Sequence, residues 1–415
     1  MSGPAARFET AIEGVWGTWP AAPKYWSYSS LKDIEACPRR WMLSRARYPD
    51  LWTRAGYPEI PGQAALFGDV VHEALEVVVQ ALSTAGCTST HAAEAVAVIR
   101  GLGGLSTVLK RVINDKVDAL MDNPRIDDTA REELRQRLVD RLGDATNRVQ
   151  VFLSRGQLPA WAGQSDVTTS EEAGHKYTGA PHRPAIGPGA WPEVDLVAEN
   201  LRFWGRIDLV LVDGTEVTIT DYKTGQEDPS HDDQVRLYAL LWDLDEQRNP
   251  GRLPAANLVV SYLARDHPVP PLTESGLRTL ESATSARIAA ADSETNSASP
   301  QAKPGPETCP YCQVRHLCED YWTSEAADPA SVTAGAWFDL EGTVTAQQGI
   351  KSWRIESEAG VYPPLLLRTP APSVSLPLGA RIRLLGVRKV TDPDDPSALI
   401  GALTSTSEIY VVNPT

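Results

Sequence analysis

The stretch GRIDLVLVDGTEVTITDYKTG, residues 205–225, constrains this chain more than any other. β-Branched and aromatic residues flank Asp213-Gly214, a dipeptide that marks a tight hairpin turn. With a two-residue turn there, Val212 pairs with Thr215, Asp208 lies opposite Ile219, and Asp221 is its diagonal neighbour. Strands alternate with period two, so Asp208, Asp221 and Lys223 project from the same side of the hairpin. Diagonal neighbours lie about 7–8 Å apart, near enough for two carboxylates to hold one cation. Acids forced together need a proton or a metal between them. Mg²⁺ or Mn²⁺ prefers such an oxygen environment, and Lys223 beside it could stabilise charge on phosphorus or orient a water. That is metal-assisted phosphodiester hydrolysis in outline. A solvated hairpin whose acids and lysine only pair with one another is the alternative.

The rest of the chain divides by texture. Residues 1–27 are rich in Trp, Pro and Gly and read as an N-terminal extension. Tyr28 to Arg47 reads as one helix, opened by Ser30 with Asp33 three residues on. Residues 63–82 carry Val70, Val71, Ala74, Leu75 and Val78 at helical spacing. A helical region runs over about 85–155, its opposed charges at 128–153 marking a solvated face. Residues 160–192 read as loop, and strands follow at Val194–Val197, Leu201–Val212, Glu216–Lys223 and Ala256–Ala264, with a helix over 232–246. Residues 284–308, rich in Ser, Ala and Pro, read as a linker. From 334 the text changes to short strands separated by Gly and Pro, a small all-β domain.

Two helical positions relate to the hairpin. Gly68-Asp-Val-Val-His72 places an imidazole beside an apolar helical face, and Gln234 and Tyr238 share one face at i and i+4. Each alone fits an ordinary packed helix. Together with GRIDLV and ITDYKTG, these elements resemble the PD-(D/E)XK nuclease superfamily in its RecB-like branch. The resemblance implies an α/β fold, a restriction-endonuclease-like core with a mixed central sheet flanked by helices and a helical insertion, over residues 28–325. It implies Asp208 and Asp221 as ligands of Mg²⁺ or Mn²⁺, joined by His72 and the Tyr222 carbonyl, with Lys223 catalytic. Gln234 and Tyr238 would support the site and contact DNA. The implied activity is that of a metal-dependent deoxyribonuclease, an exonuclease preferring single-stranded or end-containing DNA in repair, recombination or defence. A site-specific endonuclease and a non-catalytic DNA-binding scaffold are the alternatives.

Cys309-Pro-Tyr-Cys312-Gln-Val-Arg-His-Leu-Cys318, within the segment 309–318, sets three of five cysteines close together, and Cys37 stands far upstream. Four thiols could close a tetrahedral site for zinc or an iron–sulfur cluster. The order and spacing resemble the 4Fe–4S staple of AddB-type nucleases and RecB-type CRISPR-associated exonucleases. Cys87 is then the spare. Beside Cys37, Arg39, Arg40, Arg45 and Arg47 interleave with Trp41 and Tyr48, a pattern suited to phosphates and stacked bases. The β-domain, 334–415, resembles an OB-fold barrel, with strands at Trp337–Val344, Lys351–Ile355, Pro364–Arg368, Ala380–Val390 and Ile409–Val412. Trp353, Arg381, Arg383, Arg388 and Lys389 are its candidate strand-binding residues.

The 415 residues carry 39 basic against 54 acidic side chains, a net charge of −15 that argues against a polycationic nucleic-acid binder but leaves a local basic groove open. No signal-peptide pattern, apolar membrane span or G-x-x-x-x-G-K-[ST] loop occurs. A cytoplasmic protein, off the membrane, with any unwinding supplied by a partner helicase, is the expectation.

Overall fold

The computed structural model describes residues 19–155, 183–371 and 374–412. The proposed N-terminal extension, with Trp16, lies mostly outside the described residues, as does most of the loop expected over 160–192. Along the chain come α1 (Tyr28–Ala36), α2 (Pro38–Arg45), α3 (Gln63–Thr84), α4 (Ala93–Gly101), α5 (Leu105–Asp118), α6 (Asp128–Asp140) and α7 (Leu142–Arg155). Then follow β1 (Gly189–Ala198), β2 (Phe203–Asp213), β3 (Glu216–Lys223), α8 (Ser230–Leu244), β4 (Ala255–Tyr262), β5 (Asp266–Val269) and α9 (Glu274–Thr295). The remainder holds α10 (Glu319–Ser324), β6 (Trp337–Gln347), β7 (Ser352–Glu356), β8 (Leu365–Arg368), β9 (Arg381–Val390), β10 (Ile400–Ala402) and β11 (Glu408–Val412). Two compact units result, one of Ala22–Lys32 with Ile60–Ser293, the other of Met1–Ala21, Asp33–Glu59 and Glu294–Thr415.

In the first unit β1 to β5 form one mixed sheet in sequence order. β1, β2 and β3 pair antiparallel, whereas β3 and β4 run parallel, joined through the crossover helix α8. Apolar residues of α3 at three- and four-residue spacing (Val70, Val71, Ala74, Leu75, Val78) bury against α5, α7 and the sheet. α8 packs across β1 to β4. Gly205 on β2 permits this approach, because a Cβ there would come within 2.9 Å of Leu241 and 3.0 Å of the Tyr238 ring. Gly205→Ala is expected to cost roughly 1–3 kcal/mol through this overpacking, read by denaturant unfolding; an unchanged midpoint would mean that α8 yields freely.

Several expectations change. The single helix over 28–47 breaks at Cys37 into α1 and α2, since Pro38 fits a first helical turn but not a helix interior. The helix start is closed by Ser27 and Ser30: the Ser27 N–H reaches the Ser30 hydroxyl at 2.8 Å and the Ser30 N–H reaches the Ser27 hydroxyl at 3.2 Å. Asp33 instead pairs with Arg40 and Arg45, each at 3.5 Å. The 284–308 segment is helical as far as Thr295, where Thr284, Ile288 and Ala291 form a buried stripe.

In the second unit, β6 to β11 make an all-β body around Phe338, Leu340, Val344, Ile355, Leu367 and Leu384. β6 pairs with β7 and β9, β7 with β8, β8 in parallel with β10, and β10 with β9, so these five strands close a ring, while β11 adds to β9. The short strand β10 is absent from the sequence reading. Trp353 and Arg383 do not face solvent as expected. Trp353 lies in the barrel core, and the fully buried Arg383 reaches Glu319, Glu341 and the His316 carbonyl. Arg381 pairs with Glu341 and Glu358, Lys389 donates to the Pro329 carbonyl, and Arg388 is exposed. No helix among the described residues is long and apolar enough to cross a membrane.

Candidate active site

The hairpin forms, but its turn sits one residue later than Asp213-Gly214. Asp213 pairs with Glu216, and Gly214 at φ +60° opens the two-residue loop Gly214-Thr215. The register therefore shifts by two. Leu209 faces Thr220, and the next step sets Asp208 across from Asp221 rather than across from Ile219. A shift of two keeps every side chain on its face, whereas a shift of one would have reversed them. The two acids are thus nearer than a diagonal pair, as cross-strand partners lie about 4.5–5.5 Å apart at Cβ.

Around them the side chains form a connected network. Asp208 accepts the Tyr222 N–H at 2.5 Å and has His72 Nδ1 at 3.6 Å. Lys223 Nζ lies 2.8 Å from Asp221 Oδ2 and donates to Gln234 Oε1 at 3.0 Å. Gln234 Nε2 in turn donates to the Tyr238 hydroxyl at 2.7 Å. His72 comes from α3, whose Gly68 packs against Thr224: a Cβ there would meet Thr224 Oγ1 at 3.0 Å. Gln234 and Tyr238 come from α8. Tyr222 buries its ring against Phe152.

Burial disfavours charge throughout, and the partners decide each sign. Asp208 is held below the usual carboxylate range because His72, Lys223 and the Tyr222 N–H outweigh its burial. Asp221 is pushed up to about 6 by burial and by Asp208, against the pull of Lys223. Burial draws His72 and Lys223 down, but the two acids more than reverse this, and both end above their ordinary values.

Sequence reasoning missed Glu193. It lies in β1 between Pro192 and Val194, which pair with Leu209 and Ile207, so it falls opposite Asp208. Its φ of +49° is an unusual left-handed backbone for a non-glycine. Burial, with Asp208 and Glu76 nearby, pushes its carboxyl up to about 9. No local motif marks this residue; the β1–β2 pairing alone brings it to the site.

Among the described residues no group of three or more His, Cys, Asp or Glu side chains is drawn together as a ready metal cage. The acids are instead neutralised internally, Asp208 by Tyr222 N–H and His72, Asp221 by Lys223. The donor chemistry still suits a hard divalent ion. Asp221 Oδ2 is buried and accepts no well-aligned hydrogen bond, although Lys223 Nζ lies close to it.

In the other unit Cys37, Cys309, Cys312 and Cys318 line one cavity. Cys37 Sγ accepts the Arg40 and Lys303 N–H groups, both at 3.4 Å, and Cys309 Sγ the Gly305 N–H at 3.5 Å. Burial pushes the Cys312 thiol up to about 11. Arg39 and Arg40 line the same cavity, and Arg39 donates to the Pro300 carbonyl at 2.8 Å. Trp41 and Tyr48 are buried and offer no stacking surface, while Arg45 packs over the Trp41 ring. Cys87 is buried in the core beneath α3.

The mixed sheet thus places two acids and a lysine on one hairpin, with a histidine and a glutamine brought in by separate helices. The chain belongs to the PD-(D/E)XK nuclease superfamily, whose sequence model matches residues 25–319. Members of this superfamily are metal-dependent nucleases, typically using Mg²⁺ or Mn²⁺. No curated protein matches the chain. Among solved structures, the crystal structure of the tetrameric p202 HIN2 is similar at 17% identity over 20% of this chain and 46% of that one, with a TM-score of 0.17. That of the p204 HINb domain is similar at 12% identity over 28% and 56%, with a TM-score of 0.19. The chain spans about half the length of these two structures.

Proposed function

We propose that this protein is a RecB-like deoxyribonuclease stapled by an iron–sulfur cluster, an exonuclease acting on single-stranded or end-containing DNA. The observation that carries this reading is Lys223, fixed between Asp221 and Gln234 beside the Asp208–His72 pair. Asp208, Asp221, His72 and the Tyr222 carbonyl would hold Mg²⁺ or Mn²⁺. Such an ion supplies Lewis-acid activation of the phosphodiester and of water. Lys223, with its ammonium kept charged by two acids, would meet the charge that grows on the phosphoryl oxygens. Gln234 would hold that ammonium in place, and Tyr238 would hold Gln234. Glu193, whose carboxyl burial and the neighbouring acids push up, adds a carboxyl opposite Asp208.

The four cysteines are not drawn together as a ready cage, but they line one cavity, have the donor type a cluster takes, and Cys37 and Cys309 accept backbone N–H groups. Zinc is the alternative occupant. The nuclease body would occupy 28–325 and the β-domain 334–415. The ring of strands with its parallel β8–β10 closure supports the OB-like reading of that domain. Arg39, Arg40 and Arg45 would serve the DNA path, a helicase would supply unwinding, and the setting would be cytoplasmic repair, recombination or defence.

Linear and circular single-stranded DNA of one sequence separate the enzyme classes. An exonuclease degrades the linear form and leaves the circle intact; nicking of the circle in Mn²⁺ would establish the endonuclease alternative.

A further inference from the structure

α8 carries a second wall besides the one that holds Lys223. Along it runs a groove of about 360 Å³, walled by Tyr28 and Lys32 of α1, Arg236 of α8 and Arg287 of α9, over Leu237 and Leu280. Lys32 Nζ sits 5.4 Å from the Tyr28 ring centre and 3.4 Å from Ser230 Oγ. The Tyr28 hydroxyl donates to the Ser230 carbonyl at 2.9 Å, which fixes the ring at the head of α8. One acid, Asp233, also lines the groove; it lies 3.4 Å from Arg236, and Asp232 lies 3.7 Å from it. Those pairs are long and partly exposed, of the kind that contributes little and that a phosphate can displace.

Three cations, a tyrosine ring and an aliphatic floor match the parts of a nucleotide: phosphate, base and sugar. The volume lies in the range of small-molecule sites. A base inside a duplex is already stacked on both faces, so a ring at this position selects an unstacked one. Gln234 and Tyr238 lie on the neighbouring face of the same helix, so one rigid element positions both the lysine and the groove. We propose that this groove is a single-strand subsite, in which Lys32, Arg236 and Arg287 hold backbone phosphate and Tyr28 stacks a base away from the scissile bond. The proposal rests on the nuclease reading.

The test is binding of fluorescein-labelled oligothymidylate to the full-length Lys223→Ala protein in Ca²⁺, followed by anisotropy across a salt series. Adding Arg236→Ala and Arg287→Ala together is expected to weaken binding about tenfold or more and to lower the salt slope by roughly one per lost contact. Tyr28→Ala is expected to weaken it roughly tenfold, and Tyr28→Phe to retain it. Unchanged affinity and slope in these variants, each with an intact unfolding transition, would overturn the proposal. Equal losses on a blunt hairpin duplex would overturn its single-strand assignment. Hydrolysis of bis(p-nitrophenyl) phosphate by the unmutated protein in Mn²⁺ reads the nuclease function separately. Failure there, with the binding losses intact, would remove the nuclease reading and leave the groove as a DNA site.

Discussion

Lys223→Ala is expected to reduce DNA hydrolysis at saturating Mn²⁺ by at least about 10²–10³-fold, the cost of removing one group aimed at transition-state charge. The lysine is half of a buried ion pair, 2.8 Å from Asp221 and 3.0 Å from Gln234, and its pull on that carboxylate is stronger than that of His72. Its loss also leaves Asp221 buried beside Asp208 with only the weaker pull of His72 to offset the charge. Stability of the metal-free protein should fall by roughly 3–5 kcal/mol, the range for breaking one side of a buried pair. Lys223→Gln keeps most of the length and a donor but not the charge, and should be equally inactive while losing less stability. The measurement is a single-turnover cleavage rate alongside denaturant unfolding in EDTA. Activity within threefold of the parent in either variant would remove Lys223 from the chemistry.

The second large effect concerns the cysteines. Cys37 stands at the break between α1 and α2, and Cys309, Cys312 and Cys318 follow nearly the whole intervening chain. A cluster across these four thiols closes a very long loop, so its loss should resemble loss of a covalent cross-link, on the order of 2–5 kcal/mol. Cys312→Ser purified anaerobically is expected to lack iron and acid-labile sulfide and to unfold several degrees lower than the parent. A parent protein holding zinc without sulfide would replace the cluster by a zinc staple. A parent with neither, and a serine variant of unchanged stability, would end the staple reading.

How far the fold was legible depended on how local its causes are. The hairpin was readable because alternation and Asp213-Gly214 both act within a few residues. Its register was not, because turns at 213–214 and 214–215 satisfy the same pattern, and only pairing with β1 and β4 distinguishes them. The face assignment of Asp208, Asp221 and Lys223 survived, since the shift was even. Pro38 was a local signal that a continuous helix over 28–47 ignored. α9 was missed over 284–295 because Ser and Ala there suggested a linker, although Thr284, Ile288 and Ala291 carry the spacing of a buried stripe. Trp353 and Arg383 fooled composition for a different reason: a barrel strand faces both ways, and which face is inside is set by closure. Glu193 and the α1–α8–α9 groove had no sequence signature, because each exists only after distant segments pair. The net charge of −15 was similarly uninformative, since Lys32, Arg236 and Arg287 converge from three helices.

The proposed activity is metal-dependent hydrolysis at Asp208, Asp221 and Lys223. End-labelled single- and double-stranded DNA, incubated with protein purified under reducing, anaerobic conditions, tests it most directly in Mg²⁺, Mn²⁺ or EDTA. Cleavage is expected in Mg²⁺ or Mn²⁺, none in EDTA, and none with Asp221→Asn in any of the three. Undamaged DNA of both kinds in Mg²⁺ and Mn²⁺, or cleavage that persists in EDTA, would contradict it.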